Sequence, residues 1–220
     1  MNELFIVFNL KSYKTQDEAR QWLEDLKNID KSIVEQKQII ACPSFTLLGQ
    51  FKTFFEENNL NIKLGAQDVS PFDEGPYTGE VNAKQVKEFA DFVLIGHSER
   101  RNNFNETDEL LAKKVNLSLQ YGLHPIYLVQ DKDTVIPSGV ELIAYEPIFA
   151  IGSQNPDTPE NADEVARLIK QTGSYQVLYG GSVTSQNVKN FTAKPNISGV
   201  LVGGASLDAK EFIEIIENAK

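Results

Sequence analysis

The segment Ala144-Tyr145-Glu146-Pro147-Ile148-Phe149-Ala150-Ile151-Gly152 puts a carboxylate where a buried apolar run, Leu142 to Tyr145, meets a proline and a short apolar stretch ending in glycine. A carboxylate at the C-terminal mouth of a strand, on the hinge of a loop that closes over it, is a general base in a site that can be dried. Acidic residues end many strands, and Glu146 alone would read as a solvated loop residue. Other segments change that reading: Asn9-Leu10-Lys11, Gly96-His97-Ser98-Glu99, Tyr179-Gly180-Gly181-Ser182 and Gly203-Gly204. Singly, Asn9 is a turn former, Lys11 an exposed lysine and His97 a structural histidine. As a set they are coherent. A carboxylate opposite a histidine and a lysine can move a proton beside a carbonyl group, the histidine polarising the oxygen and the lysine offsetting the developing negative charge. The glycine pairs allow close backbone approach, and their N–H groups can cradle a phosphate.

These residues need elements to hold them. Short, nearly continuous apolar runs recur at Leu4–Asn9, Gln38–Cys42, Ile62–Gln67, Phe92–Ile95, Ile126–Val129, Leu142–Tyr145, Gln176–Tyr179 and Gly199–Val202. They have the character of parallel strands buried on both faces. Helix patterns fill most gaps: Gln16–Asn28 after Thr15, Thr46–Asn58 after Ser44, Glu106–Tyr121 before Gly122, Pro159–Gln171, and Ala209–Asn218 after Asp208. Eight strands with crossovers and no low-complexity linker predict one α/β domain over 1–220, a closed (β/α)8 barrel. An open doubly wound sheet is the runner-up, but it would carry a glycine fingerprint after the first strand, where Asn9-Leu10-Lys11-Ser12 stands. In a barrel every residue of the set lies at a strand's C-terminal end, where active sites assemble, and the loops after strands seven and eight are the usual phosphate seat. His124 falls on the opposite, stabilising face.

The bulk numbers narrow the function. The 220 residues carry a net charge of -10 with 41% hydrophobic and 24% charged residues, the balance of a globular protein with a sizeable core. That charge argues against nucleic acid and anionic membranes as partners. One cysteine, Cys42, and two distant histidines leave no metal-binding cluster, and no nicotinamide or flavin motif is present, so the expectation is no cofactor and no metal. The amino-terminal run reads as a first strand rather than a signal peptide, and no apolar run reaches membrane-spanning length, which gives a cytoplasmic expectation.

Together with Gly65-Ala66-Gln67-Asp68, Tyr77-Thr78-Gly79-Glu80, Ile95-Gly96-His97-Ser98-Glu99-Arg100-Arg101 and Gly199-Val200-Leu201-Val202-Gly203-Gly204-Ala205-Ser206-Leu207, these motifs closely resemble the triosephosphate isomerase family along nearly the whole chain. The resemblance implies a TIM barrel and an aldose–ketose isomerase of glycolysis and gluconeogenesis, interconverting dihydroxyacetone phosphate and D-glyceraldehyde 3-phosphate through an enediol(ate). It implies Glu146 as the base and His97 as a neutral electrophile near a helix N-terminus, roles that belong to the family's known chemistry and are not read from these residues. By the same resemblance Lys11 serves substrate oxygen and phosphate, Asn9 donates to substrate oxygen, and Glu99 anchors Lys11. Gly152, Ser182, Gly203 and Gly204 bind phosphate, and residues from Pro147 to about Pro156 form a lid. It also implies a homodimer through loop 69–79, whose Thr78 reaches the partner's site.

The chain departs from the family's pattern in places. Phe149 stands where tryptophan is usual, so that N–H contact is missing. The lid tip reads Gly152-Ser153-Gln154-Asn155-Pro156, and Leu128 and Asp131 replace a usual Cys and Glu. Between strands five and six, Gln130 to Gly139 is too short for a packed helix with both connections, and Pro137 and Gly139 disfavour one. The helix of this crossover is expected to be missing, with Val135 and Ile136 folding back over the gap. Two other functions fit the same barrel. A Schiff-base aldolase would use Lys11 as a free amine, and an inactive scaffold would have no use for Asn9, Lys11, His97 and Glu146 together.

Overall fold

A computed structural model describes residues 4–151 and 155–220, with the backbone alone at Asn28. Eight parallel strands follow one another around a closed barrel: β1 (Phe5–Asn9), β2 (Gln38–Cys42), β3 (Ile62–Ala66), β4 (Phe92–Ile95), β5 (His124–Val129), β6 (Leu142–Tyr145), β7 (Gln176–Tyr179) and β8 (Gly199–Val202). Closure is made by β1, which pairs Phe5 with Gln38 of β2 on one side and with Gly199 of β8 on the other. β5 begins two residues earlier than the apolar run suggests, because His124 and Pro125 still pair with Phe92 and Val93.

The period of two along each strand sorts the core into two bodies. Phe5, Val7, Ile40, Cys42, Phe92, Leu94, Ile126, Leu128, Leu142, Ala144, Leu178 and Leu201 fill the barrel. Their neighbours Ile6, Phe8, Val93, Tyr127, Ile143, Tyr145, Val177, Tyr179 and Val202 face the helices. The inward rows run to the last residue of β1 and past the ends of β6, β7 and β8. Phe5 and Val7 lead to Asn9, Leu142 and Ala144 to Glu146, Leu178 to Gly180, and Leu201 to Gly203. The pleat itself therefore brings these residues to one mouth.

The longer helices lie close to the expected ranges: Gln16–Asp25, Leu48–Glu57, Asp108–Gln120, Pro159–Lys170 and Ala209–Asn218. Thr15 closes a reciprocal cap with Glu18, and Thr107, Thr158 and Asp208 cap their helices. Short helices at Lys31–Val34, Ala83–Lys87, Ser98–Asn103 and Val188–Thr192 complete the crossovers.

No helix lies between β5 and β6. The connection is tied locally. Thr134 Oγ1 accepts the N–H groups of Gln130 and Asp131 at 3.3 and 3.4 Å, and Asp131 accepts that of Asp133 at 2.9 Å. The expected fold-back is half right. Ile136 packs against the core, but Val135 points to solvent with 66% of its surface exposed. The neighbouring helices do the rest, Asp108–Gln120 packing on β4 and β5 and Pro159–Lys170 on β6 and β7. Tyr127 and Ile143, on the outward face of β5 and β6, are fully buried although Val135 stays exposed.

Candidate active site

Glu146 follows the last residue of β6 and is 2% exposed. Its Oε1 lies 3.0 Å from His97 Nε2, and its Oε2 accepts the backbone N–H of Ser98 at 3.0 Å. His97 caps the helix Ser98–Asn103, its Nδ1 accepting the N–H of Glu99 at 3.1 Å. An Nδ1 that accepts carries no proton, so the imidazole hydrogen sits on Nε2 and the ring is neutral in this arrangement. The sequence between β4 and this helix forces the geometry. Gly96 has φ +85°, and a Cβ there would stand 3.2 Å from both the Leu128 carbonyl and the Arg101 guanidinium. The chain thus turns sharply after β4, aiming His97 across the mouth at Glu146.

Lys11 Nζ meets Glu99 Oε1 at 2.5 Å, so the first turn of that helix binds both a cation and, through Ser98, the carboxylate. Lys11 adopts φ +52°, as Ser182 does at +47°. Among the described residues the other two non-glycine residues with positive φ are asparagines, which tolerate it. Such backbone costs about 1–3 kcal/mol and persists where surroundings impose it. At Lys11 they do: Asn9 Oδ1 accepts its N–H at 3.0 Å, and Gln67 donates to its carbonyl at 2.9 Å and to that of Cys42 at 2.8 Å. At Ser182 the hydroxyl donates to the Ala150 carbonyl at 2.5 Å, and the Asn187 side-chain amide donates to the Ser182 carbonyl at 3.1 Å.

These groups face a cavity of about 650 Å³ lined by Lys11, Tyr13, His97, Glu146, Ile151, Pro156, Gly180, Ser182, Val183, Leu201, Gly203 and Gly204, among others. Its walls join one cation, one buried carboxylate, one imidazole N–H and the open turns after β7 and β8. Of the residues singled out from sequence, Lys11, His97, Glu146, Ser182, Gly203 and Gly204 line it. Asn9 and Glu99 stand behind Lys11 and hold it. Gly152 lies outside the described residues. Among the described residues no three of His, Cys, Asp or Glu gather to hold a metal ion, and no helix is long and apolar enough to cross a membrane.

A buried charge cluster braces the helix that carries His97, and sequence reading misses it. Arg100 reaches Glu106 at 2.7 Å and Asp68 at 2.9 Å, while Lys114, 2% exposed, reaches Asp68 and Glu106 at 2.6 Å each. Burial pushes the Asp68 carboxyl up, against the pull of Lys114. Asp68 opens the loop after β3, where Phe72 and Tyr77 stack at 4.4 Å with both rings nearly half exposed.

A family model described as triosephosphate isomerase matches residues 4–141 and 138–219 of the chain. The triosephosphate isomerase of Dictyoglomus turgidum is 36% identical, with 99% of this chain and 100% of that one covered. That of Thermus thermophilus is 34% identical over 100% of both chains, and that of Aquifex aeolicus 36% identical over 96% of this chain and 97% of its own. The comparison with the Dictyoglomus protein runs over 252 positions against 220 residues here, so that relative carries segments this chain lacks.

Proposed function

The chain belongs to the triosephosphate isomerase family and is an isomerase, and from that premise we propose that it interconverts dihydroxyacetone phosphate and D-glyceraldehyde 3-phosphate, with Glu146 as proton carrier and His97 as electrophile. One observation carries the assignment of roles: a buried carboxylate and a neutral imidazole N–H stand 3.0 Å apart at the wall of a cavity that also holds Lys11 and the glycine turns.

The chemistry follows from those groups. The Glu146 carboxylate takes a proton from C1 of the ketose, the C–H electrons form the C1–C2 double bond, and the C2 carbonyl oxygen becomes an enediolate oxygen. The Nε2–H of His97 and the Lys11 ammonium stabilise that oxygen where its charge develops. Proton transfer between the two enediol oxygens moves the carbonyl to C1, and Glu146 returns its proton to C2. To reach a substrate carbon, Glu146 gives up the Ser98 N–H and His97 contacts it now holds, as catalytic hydrogen bonds rearrange on binding. Ser182, Gly203, Gly204 and Gly152 seat the phosphate, with Asn9 and Glu99 keeping Lys11 in place. Lys11 is held against Glu99 rather than left as a free amine, which disfavours a Schiff-base aldolase.

The protein works in the cytoplasm as a homodimer, loop 69–79 of each copy carrying Thr78 to the other's site. The exposed stack of Phe72 on Tyr77 supports that surface as one to be covered. The test is an assay in which glyceraldehyde 3-phosphate formed from dihydroxyacetone phosphate is oxidised by an added dehydrogenase. Turnover of about 1 s⁻¹ or more, the ordinary enzyme range, is expected; product formation no faster than without protein would sink the proposal.

A further inference from the structure

Asp157 is a buried carboxylate, 8% exposed, that the proton transfer above does not use. Two of its contacts are local. Oδ1 accepts the Thr158 N–H at 2.8 Å and Oδ2 the Asn161 side-chain amide at 2.6 Å, as at the start of many helices. Two others leave the helix. The Tyr145 hydroxyl donates to Asp157 Oδ2 at 3.4 Å, and the Asp157 N–H donates to the Tyr179 hydroxyl at 2.8 Å. Tyr145 is the residue before Glu146, and Tyr179 the residue before Gly180-Gly181-Ser182.

Both tyrosines are buried on the outward rows of their strands. Tyr179 folds back over its own turn. A Cβ at Gly181 would stand 2.5 Å from the Tyr179 hydroxyl and 2.9 Å from Ala150 Cβ, and the ring stacks on Phe191 at 4.0 Å and 10°. The hydroxyl that the Asp157 N–H bonds therefore fills the space a side chain at Gly181 would need, beside the glycine turn. On β6, burial and the Asp157 carboxylate push the Tyr145 hydroxyl up to about 12, so it stays a donor across the working pH range.

We propose that Asp157 is a positioning residue for the isomerase site, its carboxylate holding Tyr145 while its backbone N–H, which every variant keeps, meets Tyr179, so that the base-bearing end of β6 keeps its register against the glycine turn that ends β7. This rests on the assignment of Glu146 as base and of the turns after β7 and β8 as the phosphate seat. A substrate fixed by its phosphate on one strand end must offer its carbon to a base on the next, and about 1 Å of misplacement is enough to cost 10²-fold in rate.

The experiment compares wild type, Glu146→Gln, Asp157→Ala, Asp157→Asn, Tyr145→Phe and the double variant Asp157→Ala with Tyr145→Phe by steady-state kinetics, with circular dichroism to check folding. Asp157→Ala should lower kcat about tenfold or more with KM changed less than about threefold, as for an interaction felt in the transition state. Asp157→Asn, which keeps the shape and an acceptor, should restore kcat to within about threefold of wild type, and the double variant should be no slower than Asp157→Ala, because the two side chains act as one unit. A kcat for Asp157→Ala within about twofold of wild type, even with a lowered Tm, would mean that the residue only starts a helix and would overturn the proposal; so would independent, multiplying effects of the two substitutions. Should Asp157→Ala not fold, Tyr145→Phe decides, since a wild-type kcat there also overturns it. An inactive wild type, or a fully active Glu146→Gln, refutes the proposed function and this inference with it. An active wild type, an inactive Glu146→Gln and unaffected Asp157 variants refute this inference alone.

Discussion

At the residue scale, buried polar groups at the mouth have partners that fix their direction: Glu146 has Ser98 and His97, His97 has Glu99, and Lys11 has Glu99. The two tyrosines behind the site add a measurable consequence. Burial holds Tyr145 up to about 12 from the ordinary 10.0, and Tyr179 is raised as well, again chiefly by burial. Between those values the folded chain keeps protons that the unfolded chain has lost. The stability they contribute is full below pH 10 and is lost as pH rises through about 12. Thermal melts should therefore show Tm falling steeply above pH 10, and less steeply in Tyr145→Phe. A Tm that is flat from pH 10 to 12 in the wild type would contradict this. Such a network was not legible in the sequence. Asp157 gains its meaning from partners 12 and 22 residues away on two different strands, and no local spacing announces that.

At the element scale, the barrel was legible because its strands are buried on both faces and so read as continuous apolar runs. The long helices were legible from their caps and periodicity. The four short helices were not, since four to six residues carry too little of a 3.6-residue period. One of these is Ser98–Asn103, which aims His97 and binds Glu146; the helix N-terminus beside His97 followed from the family resemblance, while its own six residues carried no periodic signal. The β5–β6 connection was legible as a missing helix from its length and its proline and glycine, but the side-chain orientation within it was not. There the structure separates two neighbours. Ile136 packs on the core while Val135 is exposed, and partial burial of an isoleucine is worth about 1 kcal/mol or more. Ile136→Asp should lower Tm by several degrees, as about 2–4 °C accompanies each kcal/mol in a chain of this size. Val135→Asp should leave Tm nearly unchanged, and both should keep wild-type kcat. Equal losses from the two substitutions would show that the connection packs differently.

At the scale of the whole molecule, an acidic chain of net charge -10 is proposed to bind an anionic substrate, and it concentrates what it needs locally in Lys11 and the backbone of two open turns. The proposed dimer rests on the opposite kind of surface. Phe72 and Tyr77, stacked and nearly half exposed, extend from a loop whose base is tied by Asp68 to the charge cluster bracing the His97 helix. Light scattering should show a dimer at micromolar concentration, and Phe72→Glu with Tyr77→Glu should shift it toward monomer with a lowered kcat. A wild-type monomer with full activity would rule out a site that needs its partner.

The central claim is that Glu146 carries the proton. It is tested most directly by incubating dihydroxyacetone phosphate with the protein in D2O and following deuterium at C1 by proton NMR. The wild type should wash in deuterium at a rate proportional to enzyme concentration. Glu146→Gln, folded by circular dichroism, should exchange slower by about 10²-fold or more, the loss expected when positioned proton transfer is removed. Exchange by Glu146→Gln at the wild-type rate would contradict the account.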